Sequence, residues 1–282
     1  MKNVLAILTF LVFSAVTVHA WENPACTLHS DNVTFHMTFD QGDCTADMAG
    51  GNAEPSSQKS KIPVTFADKG VFGKAMKSGE CRYQAAGNLD LSKPGTVIFW
   101  VSPTWETVKP ANGKEPGFTA FSATGRTGDY EYDLIMGKMK GQPWGHGHIN
   151  NYVQYRPATI KHVNCIRFSA GKAANWPRGE WRMFACTWKP GTFTNSVNGT
   201  SSASSNLVKM TSGTTRFFVL KSPKNILLDE IVFLNKALSD EELAKIYQET
   251  VNSLSKDGKC SFFGVRNKEI SGKNAANKEF SE

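Results

Sequence analysis

From Asn225 to Tyr247 the chain reads NILLDEIVFLNKALSDEELAKIY. Ile226, Leu228, Val232 and Leu234 alternate with Leu227, Ile231 and Phe233, so both faces of this stretch are apolar. A strand of that kind must be covered on both sides, which a solvated edge strand is not. Only Asp229 and Glu230 interrupt it. After Asn235 the period changes to that of a helix: Ser239 and Glu242 are spaced as a capping box, with Leu238 and Leu243 at the staple positions. Leu243, Ile246, Tyr247, Val251 and Leu254 extend one apolar stripe, so a short amphipathic helix follows the strand directly.

At the other end, Val4 to Val18 is an apolar run behind Lys2, followed by Val18-His19-Ala20 before Trp21. This is the pattern of a secretory signal peptide over residues 1–20, too short for a stable membrane span. No later segment reads as a transmembrane helix, so the expected location is secreted, periplasmic or extracellular. Residues 21–260 are long enough for one β-sandwich domain. Beyond Cys260 apolar periodicity is lost, and 261–282 reads as a disordered tail. The net charge is +7, but Lys and Arg are scattered rather than clustered. That argues against a nucleic-acid partner, and acidic polysaccharide is the partner that such a charge suits outside the cell. The six cysteines all lie in the mature part and none has CxxC spacing. In an exported chain this predicts disulfides rather than zinc.

In chain order, Val33–Phe39 alternates like a half-buried strand, and 40–61 turns to Gly, Ser, Asp and Lys and reads as a long loop. His36 is read as a surface or hydrogen-bonded residue. Val64–Phe66 and Ala75–Tyr83 are short strands around a Gly70–Gly73 turn, and Val97–Val101 is a central strand. Phe118–Ala123, Tyr130–Met136 and Ile149–Tyr155 follow, then Val163–Phe168 and Trp181–Trp188, which read as a hairpin with a long polar connection. Thr192–Val197 and Phe217–Leu220 precede the last strand.

The closing segment, together with FHMTFD (Phe35–Asp40), GVFGKAM (Gly70–Met76), PGTVIFWVSPTW (Pro94–Trp105) and GEWRMFACTWKPGTFTNSVNG (Gly179–Gly199), resembles laminin-G-like domains of the concanavalin A-like lectin and glucanase superfamily. The resemblance implies an all-β fold, a two-sheet antiparallel β-sandwich of the jelly-roll type with a short C-terminal helix and with first and last strands paired. It further implies disulfides Cys165–Cys186, Cys44–Cys81 and Cys26–Cys260. Calcium is the superfamily's recurrent ion, and Asp40 with Asp229 is where this chain would hold it. Trp100, Trp181 and Trp188 fall in core stretches and should be buried.

Since the superfamily includes glucanases, the carboxylates of a retaining glycosidase are the first thing to seek, an acid and a nucleophile roughly 5 Å apart. The laminarinase-like pattern Glu-x-Asp-x-x-Glu is approached only at Glu131 and Asp133, with Met136 or Gly137 where the third carboxylate belongs. The lyases of the same fold use a Gln-x-His strand and a Tyr base, and His146, His148 and Tyr152–Arg156 contain those residue types without the pattern. The expectation is therefore a non-catalytic, lectin-like protein that binds a polysaccharide or glycoconjugate. A polysaccharide lyase, a diverged glycoside hydrolase and an adhesive module binding a cell-surface or matrix protein are the rivals. Sugar recognition requires flat aromatic faces and fixed hydrogen-bonding groups. Arg126, Tyr130, Tyr132, Trp144, His146, His148, Tyr152 and Tyr155 supply them in one segment, with Trp144 between glycines and Pro143 the leading contact.

Overall fold

The computed structural model describes residues 23–56, 62–105, 117–127, 130–138, 149–157, 164–167, 176–189, 192–201 and 214–256. These form fourteen strands and two α-helices. In order they are α1 (Pro24–Leu28), β1 (Val33–Met37), β2 (Met48–Ala49), β3 (Thr65–Ala67), β4 (Ala75–Gln84), β5 (Gly95–Pro103), β6 (Phe118–Thr127) and β7 (Tyr130–Lys138). They continue as β8 (Ile149–Pro157), β9 (Asn164–Arg167), β10 (Arg182–Lys189), β11 (Thr192–Val197), β12 (Thr200–Ser201), β13 (Thr214–Ser222), β14 (Ile226–Leu234) and α2 (Asp240–Lys256).

The strands run antiparallel and fold into a β-sandwich. The first layer has the order β12-β11-β10-β5-β14-β1-β2, and the second β4-β13-β6-β7-β8-β9. First and last strands pair as expected, with His36 opposite Val232 and Met37 opposite Ile231. Strand β4 is shared: Met76 pairs with Leu228 of the first layer, while Gly79–Gln84 pair with β13 of the second.

All nine residues of β14 are buried, which is what its two apolar faces require. One face joins the core between the layers, where the Phe35, Phe218 and Phe233 rings meet with centroids 4.8 to 5.1 Å apart. Tyr83 stacks on Phe218 at 5.0 Å and donates its hydroxyl to the Cys44 carbonyl at 2.6 Å. The other face, with Ile98, Trp100, Met183 and Ala185 of the neighbouring strands, is covered by α1 and α2. The capping box forms: Ser239 N–H donates to Glu242 Oε2 at 2.8 Å and Glu242 N–H to Ser239 Oγ at 3.2 Å. Leu238, Leu243, Ile246 and Leu254 are all buried, and Tyr247 stacks on Trp100 at 5.9 Å. Trp100, Trp181 and Trp188 are buried.

Two expectations fail together. The strands Val163–Phe168 and Trp181–Trp188 do not make a hairpin, because β9 pairs with β8 in the second layer whereas β10 lies between β5 and β11 in the first. The chain crosses the sandwich between them. Cys186 is consequently a free thiol in the core, opposite Val97 and Asn195, and is not bridged to Cys165. Burial pushes its thiol up to about 12, which leaves it protonated and inert. Cys26 is likewise a free thiol, on the buried side of α1, contrary to the Cys26–Cys260 expectation; Cys260 lies outside the described residues. The Cys44–Cys81 disulfide is present and ties the loop after β1 to β4. Closing the 37-residue separation between these cysteines restricts the unfolded chain by about 3–4 kcal/mol. Alkylation mapped by mass spectrometry should leave Cys26 and Cys186 unmodified in native protein. It should label both in denaturant without reductant, and label Cys44 and Cys81 only after reduction.

Candidate ligand-binding face

The two layers differ on their outer sides. That of the first layer lies under α1 and α2. In the second layer Cys81, Tyr83, Ala123, Leu134, Phe218 and Leu220 point into the core, each at most 1 % exposed. Strand alternation therefore turns Arg82, Gln84, Phe217, Val219, Ser122, Thr124 and Ile135 to the opposite side. Arg82 and Gln84 are exposed there, and the others are half-buried.

These residues form rows across the strands. Arg82 stands opposite Val219, Val219 opposite Ser122, and Ser122 opposite Ile135. In the next row Gln84, Phe217 and Thr124 are successive partners. Arg82 reaches diagonally across β13, placing its guanidinium carbon 3.5 Å from the centre of the Phe217 ring. Further along, Lys221 pairs with Glu80 at 3.3 Å. The result is an apolar strip edged by short hydroxyls and one stacked arginine. Arg82 and Phe217 were invisible as a pair in the sequence, and only the β4–β13 register reveals them.

The segment named from sequence leads into this face in part. Arg126 is on β6 in the alternation of Ser122 and Thr124, and is the register partner of Glu131 on β7, which in turn is the register partner of Arg156 on β8. Tyr152 of β8 is opposite Ile135. Tyr130 and Tyr132 share instead the alternation of Leu134 and Met136, both buried, and Tyr155 is the register partner of Tyr132. Trp144, His146 and His148 lie outside the described residues. The place of a third glucanase carboxylate is filled by Met136, fully buried, or by Gly137, where any Cβ would strike the Phe118 carbonyl.

Asp40 and Asp229 meet around one turn, as the calcium expectation required, but one oxygen of each serves the backbone, while the buried Asp229 Oδ1 has no hydrogen-bond partner. Asp40 Oδ1 accepts from Lys74 N–H at 2.8 Å, and Asp229 Oδ2 from Val71 N–H at 2.6 Å. Calcium takes 6–8 oxygen ligands, whereas no group of three or more His, Cys, Asp or Glu side chains converges among the described residues. Complete burial, then the Glu230 charge, hold the Asp229 carboxyl well above the usual carboxylate range. It is therefore neutral over a wider pH range than an exposed aspartate.

Glu230 sits at the bulge where the β14–β5 register shifts, with φ 51°. Its Oε2 lies 3.1 Å from His36 Nε2 and accepts from Asn23 Nδ2 at 2.6 Å. Asn23 also caps α1 through Oδ1, so this buried network fastens α1 to the last strand. His36 is thus hydrogen-bonded and only 2 % exposed. Burial alone would depress its imidazole, but hydrogen bonds with Cys26 and Glu230 and the Glu230 charge hold it well above the ordinary value.

An open pocket of about 270 Å³ lies at one end of the sandwich, lined by Asn88, Asp90, Lys93, Trp188 and Asn235 among others. Its polar groups are engaged within the fold: Trp188 Nε1 donates to the Lys93 carbonyl at 2.6 Å, Lys93 pairs with Asp90 at 3.5 Å, Asn88 Nδ2 donates to the Asn52 carbonyl at 2.9 Å and Asn235 Oδ1 accepts from Asn32 Nδ2 at 3.0 Å.

No protein-family model matches the sequence, and no curated protein matches it. Solved structures do share the fold. Domain 4 of AbnA, a GH43 extracellular arabinanase from Geobacillus stearothermophilus solved in complex with arabinotriose, is similar over 77 % of this chain and 100 % of that one, with a TM-score of 0.53 at 18 % identity. The receptor-binding domain of botulinum neurotoxin mosaic serotype C/D is similar over 78 % of this chain, with a TM-score of 0.52 at 12 % identity. That of serotype D is similar over 80 %, with a TM-score of 0.51 at 12 % identity. The chain spans about half of each neurotoxin domain, 51 % and 53 %.

The His36 network sets a pH dependence. Between the unfolded and folded pKa values the folded state holds a proton that the unfolded state has released, so stability falls as pH rises. The raised Asp229 acts in the same direction above the ordinary aspartate range. Thermal melts should therefore show the melting temperature dropping as pH climbs from about 6.5, the ordinary histidine value, into the alkaline range. His36→Gln should flatten that slope while lowering stability at acidic pH.

Proposed function

We propose that this is a secreted, non-catalytic carbohydrate-binding protein of laminin-G-like kinship, which takes its glycan on the outer side of the second layer. The observation that carries the reading is the asymmetry of the sandwich: helices cover one outer side, whereas the other presents a strip of half-buried Phe217, Val219 and Ile135 beside Ser122 and Arg82. Flat apolar surface beside fixed hydrogen-bonding groups is what a sugar ring requires. The arabinanase domain of the same fold, solved in complex with arabinotriose, supports a sugar ligand for this architecture. The Cys44–Cys81 disulfide favours an oxidising compartment. No helix among the described residues is long and apolar enough to cross a membrane.

Within this reading Arg126, Tyr152 and Trp144 are further ligand contacts, with Trp144, between β7 and β8 in sequence, as a stacking platform. The test is a glycan array run beside assays for new reducing ends and unsaturated uronates. Binding without turnover is the expected result. Turnover would make the protein a lyase or hydrolase, and the absence of both would leave an adhesive module that binds protein. On the glycan so identified, Trp144→Ala should leave the melting temperature near wild type and cost about 1–3 kcal/mol of binding, if stacking on a sugar is comparable to stacking on a base. A core tryptophan would instead cost about 3–5 kcal/mol of stability.

A further inference from the structure

We infer that the glycan is anionic, a polysaccharide carrying uronate carboxylates, and that Arg82 is the residue that binds the carboxylate. This rests on the carbohydrate reading above and narrows its ligand class. Arg82 is exposed on β4, and its guanidinium carbon lies over the Phe217 ring, 3.5 Å from the ring centre. The nearby cation Lys221 is paired with Glu80, whereas Arg82 has no carboxylate partner among the described residues. The contrast with Arg182 is instructive. That guanidinium also lies over an aromatic ring, Trp176 at 4.8 Å, but its Nε donates to Glu180 at 2.7 Å and its charge is satisfied within the fold.

A guanidinium stacked on a ring is held in one orientation, and its N–H groups point outward in its own plane rather than toward the ring. They form a fork whose spacing suits the two oxygens of a planar carboxylate. Beside it Val219 and Phe217 offer apolar surface for the body of a sugar ring, and Ser122 and Gln84 offer hydroxyl and amide groups for its hydroxyls. A neutral sugar would use the strip but leave the charge of Arg82 without a counterpart. A uronate uses both.

Arg82 is exposed, so replacing it tests binding with little effect on folding; melting temperatures confirm this for each variant. Affinity of the full chain is measured by calorimetry and affinity electrophoresis against polygalacturonate, dextran sulfate and neutral arabinan, at low and high salt. The expected result is salt-sensitive binding of polygalacturonate that Arg82→Ala weakens about tenfold or more. Arg82→Lys should be intermediate, because it keeps the charge and loses the fork, and Phe217→Leu should weaken binding through loss of the stack. Polygalacturonate bound equally by wild type and Arg82→Ala would overturn the inference. So would binding of arabinan or dextran sulfate with none of polygalacturonate, although the carbohydrate reading would then stand. Binding of no polysaccharide on this panel or the glycan array would overturn both.

Discussion

Burying β14 on both faces is the constraint that the other elements answer. Each apolar side chain taken fully from water contributes about 1.5–3 kcal/mol, but only if something covers it, and nine consecutive buried residues need covering on two sides. The opposite layer supplies one cover, and α1 and α2 supply the other. The same burial makes Asp229 and Glu230 costly, since an ionised carboxylate in the interior loses several kcal/mol of hydration. Asp229 meets this by favouring its neutral form and by accepting from Val71 N–H. Glu230 meets it through His36 and Asn23. The two acidic residues that look like a defect in an apolar strand are thereby the clamps for the 70–74 turn and for α1.

Covering one layer determines where function can reside. A sheet buried on both sides offers a ligand nothing but its ends, and the pocket at one end, near Asn88 and Trp188, has its polar groups already committed within the fold. The second layer keeps an outer side with aromatic, hydroxyl and guanidinium groups at fixed spacing on a rigid ladder. A ligand bound there would need little reordering of the protein, which would limit the entropy lost on association.

Local signals were legible in the sequence, and non-local ones were not. The capping box, the staple and the two-sided strand are encoded within a few residues of one another, and all appear in place. The β9 and β10 error came from treating adjacent strands as adjacent in space. Nothing near Phe168 or Trp181 announces that the chain crosses from one layer to the other, and the Cys165–Cys186 pairing fell with that assumption. Cys44–Cys81 is also remote in sequence and was reached only through the family resemblance. At the candidate site, aromatic density drew attention to Arg126–Tyr155, yet alternation divides those residues: Arg126 goes with Ser122 and Thr124, Tyr130 and Tyr132 with buried Leu134 and Met136. Arg82 and Phe217 were missed because each looks like an ordinary outward residue of an amphipathic strand. Their meaning comes from a register shared by strands more than a hundred residues apart.

Strand β4 belongs to both layers, leaving one near Ser78 and entering the other at Gly79, whose φ of 107° makes the bend and whose missing side chain leaves room for Val64. Sandwich layers otherwise touch only through side-chain packing, which resists separation but permits sliding. Here a covalent backbone runs from the open side at Arg82 directly into the pairing with β14. A load applied to that side would be carried along β4 into the covered layer. Sliding of one layer past the other would therefore have to deform β4, which is paired in both.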